Sequence, residues 1–256
     1  MNRKPEAVTD PLFDVSGNTY LIAGAGGGLG KVMARALSER GARLALFDID
    51  EAALEHVGAA IPEALTRVVD MTDQDALAEM VQNTENRFGR IDGAINAAGL
   101  LPMAAAATFD EAVFRQCIDV NLTAAFLFSR TVAEHMRDAG GRIVHIASVS
   151  SFVANPEYAA YASSKAGLAQ MVRVLAREWA PQNILVNALG PALTETPLTR
   201  DYLADPGFRR NAISAIPLGR LGEADDLVGA LLLLLSPGGG FITGQTIYVD
   251  GGRTLV

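Results

Sequence analysis

Thr19-Tyr20-Leu21-Ile22-Ala23-Gly24-Ala25-Gly26-Gly27-Gly28-Leu29-Gly30 is the stretch that decides the fold of this chain. Its first half is a short apolar strand, its second half a glycine turn. Lys31-Val32-Met33-Ala34-Arg35-Ala36-Leu37 then continues with helical spacing. Strand, glycine turn and helix together set backbone N–H groups and a helix N-terminus against a pyrophosphate. The spacing is Gly24-x-x-x-Gly28-x-Gly30, which is not the G-x-G-x-x-G form. Taken alone, it is also compatible with a tight turn that holds no ligand.

Working outward, Arg43-Leu44-Ala45-Leu46-Phe47 reads as the next strand, and Asp48 closes it. An acid at this distance, at a strand's carboxyl end, is placed to accept hydrogen bonds from an adenosine ribose. Further strands are predicted at 65–69, 92–96, 142–147, 183–188 and 245–249. Helices are predicted at 29–40, 51–60, 73–88, 110–138, 157–180 and 223–235. Near-continuous apolar strands alternating with amphipathic helices predict an α/β fold. It is a single-domain, Rossmann-type, doubly wound parallel sheet of about seven strands with helices on both faces. Residues 1–14 read as a loose N-terminal arm and 15–256 as one dinucleotide-binding catalytic domain. Residues 192–216 interrupt the alternation with Pro197, Pro206 and charged residues, and a long irregular insertion in such a domain is usually functional.

Tyr161 and Lys165 share a helix face, being four residues apart in Tyr161-Ala162-Ser163-Ser164-Lys165. A phenol with a pKa of about 10 becomes a base near neutrality only if its anion is stabilised by roughly 4 kcal/mol. One ammonium at about 4 Å supplies on the order of that amount at an effective dielectric near 20. The pair is therefore a candidate proton-transfer device. Asn121, in Asp119-Val120-Asn121-Leu122, sits inside an apolar helix, which is unfavourable unless its amide is hydrogen-bonded.

These motifs, in this order, resemble the short-chain dehydrogenase/reductase family over residues 15 to 252. The resemblance rests on Gly24-x-x-x-Gly28-x-Gly30, Asp70, Asn96-Ala97-Ala98-Gly99, Asn121, Ser148, Tyr161-x-x-x-Lys165, Pro191, Thr196 and Val249-Asp250-Gly251-Gly252. It implies a catalytic set of Asn121, Ser148, Tyr161 and Lys165, with Ser148 singled out by its thirteen-residue offset to Tyr161. It implies coenzyme contacts at Gly24, Gly27, Gly28, Leu29, Gly30, Asp48, Ile49, Asp70, Met71, Asn96, Ala97, Gly99, Tyr161, Lys165, Pro191, Thr194 and Thr196. It also implies a mobile substrate lid at 192–216 and a homotetramer built on the two long helices and the C-terminal region. Three positions depart from the family pattern: Ala23, Ala97 and Ala192. The first two lose side-chain hydrogen bonds that brace coenzyme loops, and the third narrows backbone freedom.

The expected activity is interconversion of a secondary alcohol and a ketone with NAD. The substrate is expected to be a small polyol, sugar acid or hydroxy acid bound through Glu195, Arg200, Arg209 and Arg210. Asp48 followed by Ile49, with Gly27 where a base would stand, disfavours the 2′-phosphate of NADP. Two alternatives are an NADPH-dependent reductase resembling 3-oxoacyl-carrier-protein reductases and a non-catalytic coenzyme-binding regulator. Other classes are disfavoured by composition. A net charge of −8 argues against nucleic acid binding. Three dispersed histidines and one cysteine, Cys117, offer no metal site. No apolar leader or membrane span is evident, so a cytoplasmic protein with a small-molecule partner is expected.

Overall fold

Thr19–Ala23 is buried at all five positions, and this strand, β1, lies inside the sheet. The computed structural model describes residues 10–256. On one side β1 pairs in parallel with β2 (Arg43–Asp48), which pairs with β3 (Leu65–Val68). On the other side come β4 (Gly93–Asn96), β5 (Gly141–Ile146), β6 (Ile184–Pro191) and β7 (Thr246–Val249), all parallel. The order β3-β2-β1-β4-β5-β6-β7 reverses between β1 and β4. That reversal opens a crevice beyond the carboxyl ends of the two strands.

One sheet face is covered by α1 (Gly28–Ser38), α2 (Glu51–Ala60) and α9 (Val228–Leu235). The other is covered by α3 (Gln74–Phe88), α5 (Ala124–Met136) and α6 (Ala159–Trp179). Strand residues alternate between the layers: Leu21, Ala45 and Ile143 face one cluster, while Tyr20, Leu44 and Val144 face the other. Several helices are started by an aspartate. The side chains of Asp50, Asp73 and Asp110 accept from first-turn N–H groups of α2, α3 and α4 (Glu111–Ile118).

The helix expected over 110–138 is broken. Between α4 and α5 lies a π-helical turn, Asp119–Thr123, and this wider turn carries Asn121 inward. The 223–235 helix starts with a tighter turn, Ala224–Leu227, before α9. Within 192–216 stand two short helices, α7 (Arg200–Leu203) and α8 (Pro206–Ser214). Leu203 and Ile216 anchor them in a small apolar cluster with Val149, Ala192 and Leu221. Of the N-terminal arm, residues 1–9 lie outside the described residues. Pro11–Phe13 forms a helical turn capped by Asp10. Among the described residues, no helix is long and apolar enough to cross a membrane.

Candidate active site

Parallel register brings the carboxyl ends of the strands to one edge. Asp48 ends β2, Asn96 ends β4, Ser148 follows β5, and Pro191 ends β6. Above that edge lies a cleft of about 1590 Å³.

The glycine turn forms its floor. Gly24 has φ +77°, and a Cβ there would lie 2.5 Å from the Ala98 nitrogen. A Cβ on Gly30 would lie 2.0 Å from the Gly24 carbonyl oxygen, so only hydrogen fits. Helix α1 begins at Gly28 behind Gly27, with no side-chain cap. Its first N–H groups are thus left for an anion at the cleft, where Gly26, Gly27, Gly28 and Leu29 lie on the surface. Asp48 stands alongside. Its Oδ2 accepts from the Gly26 N–H at 2.8 Å and its Oδ1 from the Asp50 N–H at 3.0 Å. Each oxygen retains a lone pair for a ribose hydroxyl. An uncapped helix N-terminus with an acid beside it fits a dinucleotide.

Of the expected coenzyme residues, Gly24, Gly27, Gly28, Leu29, Asp48, Ile49, Asp70, Met71, Ala97, Gly99, Tyr161, Lys165, Pro191, Thr194 and Thr196 line this cleft. Gly30 and Asn96 do not. Gly30 packs beneath the turn, and buried Asn96 turns its Oδ1 to the Ala98 N–H at 3.1 Å, bracing the following loop. That bond supplies some of the support that the alanine at 97 lacks. Ala192 is unstrained, because Glu157 and Asn183 are the only non-glycine residues with positive φ among those described.

At the inner end, α6 presents Tyr161 and Lys165 on one face. Lys165 is 4% exposed, and its Nζ donates to the Ile146 carbonyl at 2.7 Å. The ammonium lies 5.7 Å from the centre of the Tyr161 ring. The phenol pKa is raised rather than depressed. Burial pushes Tyr161 up to about 12, while its hydrogen bond with Ser148 pulls the other way. Burial likewise brings Lys165 down to about 8. Ser148 is held extended after β5, its Oγ accepting from the Ser150 N–H at 3.1 Å.

Asn121 does not line the cleft but braces it. Its amide is bonded to the main chain of Leu100 and donates to Ser164 Oγ at 3.0 Å. Ser164 in turn donates to the Tyr161 carbonyl at 2.7 Å, linking the π turn to α6. Cys117 is fully buried beside this group, as a packing residue. His145 points away from Ser148, its Nε2 2.8 Å from Ser129 Oγ, and burial lowers its pKa to about 3. Among the described residues no group of side chains forms a metal site.

The lid charges expected to bind substrate do not face the cleft. Arg209 pairs with Glu195, and neither Arg200 nor Arg210 lines it. Tyr202 instead ties the lid across to the Leu101 carbonyl at 2.9 Å. Sequence reasoning passed over Asn155, Tyr158 and Arg253, which do line it. No local pattern marks them, because they converge only through the tertiary fold.

The family model described as enoyl-(acyl carrier protein) reductase matches residues 24–254. The chain is 33% identical over 249 residues to an NAD-dependent glycerol dehydrogenase from Listeria innocua serovar 6a, covering 96% of this chain and 97% of that one. It is 34% identical over 249 residues to a 3-oxoacyl-[acyl-carrier-protein] reductase from Thermotoga maritima, covering 94% and 99%. A gluconate 5-dehydrogenase from Burkholderia cenocepacia J2315, solved in complex with NADP and tartrate, matches with a TM-score of 0.92 and 32% identity. That match covers 96% of this chain and 98% of the other.

Proposed function

This chain belongs to the short-chain dehydrogenase/reductase family, and from that premise we propose an NAD(H)-dependent oxidoreductase interconverting a secondary alcohol and a ketone. The observation that carries the reading is the convergence of Ser148, Tyr161 and Lys165 at the inner end of a cleft floored by an uncapped helix N-terminus. The nicotinamide coenzyme supplies or accepts the hydride when bound, and that chemistry is its own.

The chain's residues handle the proton. With its pKa near 12, Tyr161 carries its proton, the state needed to protonate the oxygen of a ketone during reduction. Ser148 Oγ lies beside the phenol and donates to the same substrate oxygen, stabilising the charge that develops there. In the oxidation direction Tyr161 must first lose its proton. The Lys165 charge, on the same face of α6, favours the phenolate. Asn121, fixed on Leu100, holds the π turn and α6 at the spacing that the pair needs.

For the coenzyme, Asp48 and exposed Ile49 at the end of β2 support NAD, since a 2′-phosphate would meet a carboxylate and no base. The substrate class proposed is a small polyol, sugar acid or hydroxy acid, in keeping with the glycerol and gluconate dehydrogenases among the similar proteins. A second reading, an NADPH-dependent 3-oxoacyl reductase, is favoured by the apolar wall of Leu193, Phe208 and Ile216, and disfavoured by Asp48. A non-catalytic regulator is disfavoured by the complete set Asn121, Ser148, Tyr161 and Lys165. A homotetramer accords with exposed Phe126 on α5, Val174 on α6, and Leu255 and Val256 at the chain end.

The test is absorbance at 340 nm with NAD or NADP and a panel of polyols, sugar acids and hydroxy acids. Turnover with NAD that is lost in Tyr161→Phe supports the proposal. Coenzyme binding without turnover of any alcohol or ketone would leave the regulator reading.

A further inference from the structure

The chain has five tyrosines, and all but one have a hydroxyl partnered within the protein. Tyr20 donates to the Leu235 carbonyl at 3.1 Å, and Tyr202 to the Leu101 carbonyl at 2.9 Å. The Tyr248 hydroxyl lies 2.9 Å from Ser151 Oγ, and that of Tyr161 is bonded to Ser148. Tyr158 is the exception. It is only 9% exposed and lines the cleft, yet no described residue forms a hydrogen bond with its hydroxyl. A polar group at that depth ordinarily has a partner. Burial, with Tyr202 and Glu157 close by, pushes the Tyr158 pKa up, so the phenol stays neutral and keeps its proton to donate.

The place of this phenol is fixed from both sides. Glu157, just before it, takes φ +69°, a backbone conformation that a residue with a side chain rarely adopts. The Glu157 carbonyl accepts from the Ala104 N–H at 3.1 Å, which ties this loop to the one after β4. The Tyr158 carbonyl accepts from the Ala162 N–H at 2.7 Å, at the start of α6. The Tyr158 ring then stands edge-on to that of Tyr161, with 6.0 Å between ring centres and 74° between planes. With a hydrogen bond of about 2.8 Å from each hydroxyl, one small molecule meets both phenols.

Charge narrows what that molecule is. Among the described residues that line the cleft, the cations are Arg115, Lys165 and Arg253, and each is engaged. Arg115 is paired with Glu111, and Lys165 donates to the Ile146 carbonyl. Arg253 donates to Asn155 and to the Val256 oxygen at the chain end. Glu157, exposed on the loop that carries Tyr158, takes part in no ion pair among the described residues. A carboxylate beside Tyr158 would meet a like charge and no free cation.

We propose that Tyr158 is a specificity-determining residue whose hydroxyl binds a substrate hydroxyl on the carbon next to the reacting one, and that the substrate is a neutral hydroxy ketone or the matching vicinal diol. This rests on the oxidoreductase reading and narrows its substrate class, setting aside the acids. A phenol both donates and accepts, as a hydroxyl does, so the pair satisfies each partner. A ketone without that hydroxyl leaves the phenol unpaired, which a site built on hydrogen bonding penalises strongly. Leu193, Phe208 and Ile216 form an apolar wall for the hydrocarbon ends of the molecule.

The test is NADH oxidation with 3-hydroxybutan-2-one and 1-hydroxybutan-2-one, against butan-2-one and 2-oxobutanoate. The expected result is a kcat/KM about tenfold or more higher for at least one hydroxy ketone than for either of the others. Tyr158→Phe should lower that hydroxy ketone by about tenfold, mainly through KM, and leave butan-2-one within about twofold. Butan-2-one or 2-oxobutanoate reduced as well as the hydroxy ketones overturns the proposal. So does a loss in Tyr158→Phe that is equal for hydroxy ketone and butan-2-one, or reduction of none of the four by a protein that binds NADH. Absence of NADH binding by fluorescence would instead strike the oxidoreductase reading itself. The melting temperature of Tyr158→Phe should hold, because the hydroxyl removed bonds to nothing within the protein. The wild-type order of the four ketones tests the substrate class independently of the variant.

Discussion

Asn121 grips the main chain of Leu100 at both ends of its amide: Oδ1 accepts from the Leu100 N–H at 2.8 Å and Nδ2 donates to the Leu100 carbonyl at 2.9 Å. The loop after β4 is thereby joined to the π turn between α4 and α5. Both atoms of Leu100 lose their partner if the amide is removed. Asn121→Ala is expected to lower unfolding free energy by about 1–3 kcal/mol, since two partly buried backbone groups lose their partner. Denaturant unfolding checks it, and a change below about 0.5 kcal/mol would mean that the amide braces nothing.

Tyr161→Phe separates chemistry from binding. The ring and its packing stay, and the proton carried at the phenol oxygen goes. Turnover should drop by about 10²–10⁴-fold, as for loss of a general acid or base. NADH affinity and the melting temperature should hold. Near wild-type turnover would remove Tyr161 from the mechanism.

Lys165 leaves a signature in stability against pH. Burial lowers its pKa from 10.5 to about 8. This penalises the charged form by roughly 3 kcal/mol, partly offset by its bond to the Ile146 carbonyl. Below pH 8 both folded and unfolded chains are protonated and the penalty is fully present. Between pH 8 and 10.5 the folded chain has lost the proton while the unfolded chain keeps it, so wild-type stability gains with rising pH. Lys165→Met should therefore be inactive yet more stable than wild type by about 1–2 kcal/mol at pH 7. That advantage should shrink between pH 8 and 10.5. A variant less stable than wild type at pH 7 would show that the buried charge is well compensated.

Asp48 has two jobs, and one substitution parts them. Its Oδ2 receives the Gly26 N–H of the glycine turn, and its charge repels a 2′-phosphate. Asp48→Asn keeps an acceptor for Gly26 and removes the charge. The ratio of kcat/KM with NAD to that with NADP should fall by about tenfold or more, given a like-charge contact of a few kcal/mol at close range. NAD affinity should weaken only slightly. An unchanged ratio would place the discrimination elsewhere.

The amino-acid order by itself determined the α/β class, seven strands within a residue or two at most ends, and the glycine turn. Those depend on periodicity and on backbone freedom, which act over a few residues. It also singled out Tyr161, Lys165, Ser148 and Asn121 through their motifs. Only the tertiary structure decided what these residues touch. Lys165 bonds to Ile146, and Asn121 bonds to Leu100. The helix over 110–138 opens into a π turn at Asp119–Thr123. The lid arginines looked like substrate ligands, but Arg209 is spent on Glu195, while Arg253, unremarkable in sequence, meets Asn155 across 98 positions. The physical reason is range. Helix and strand follow from neighbours along the chain, whereas a charge is free or neutralised according to which distant segment packs against it. The same holds for Tyr161: four-residue spacing sets it beside a lysine, but burial by remote elements, not that spacing, pushes its pKa up to about 12.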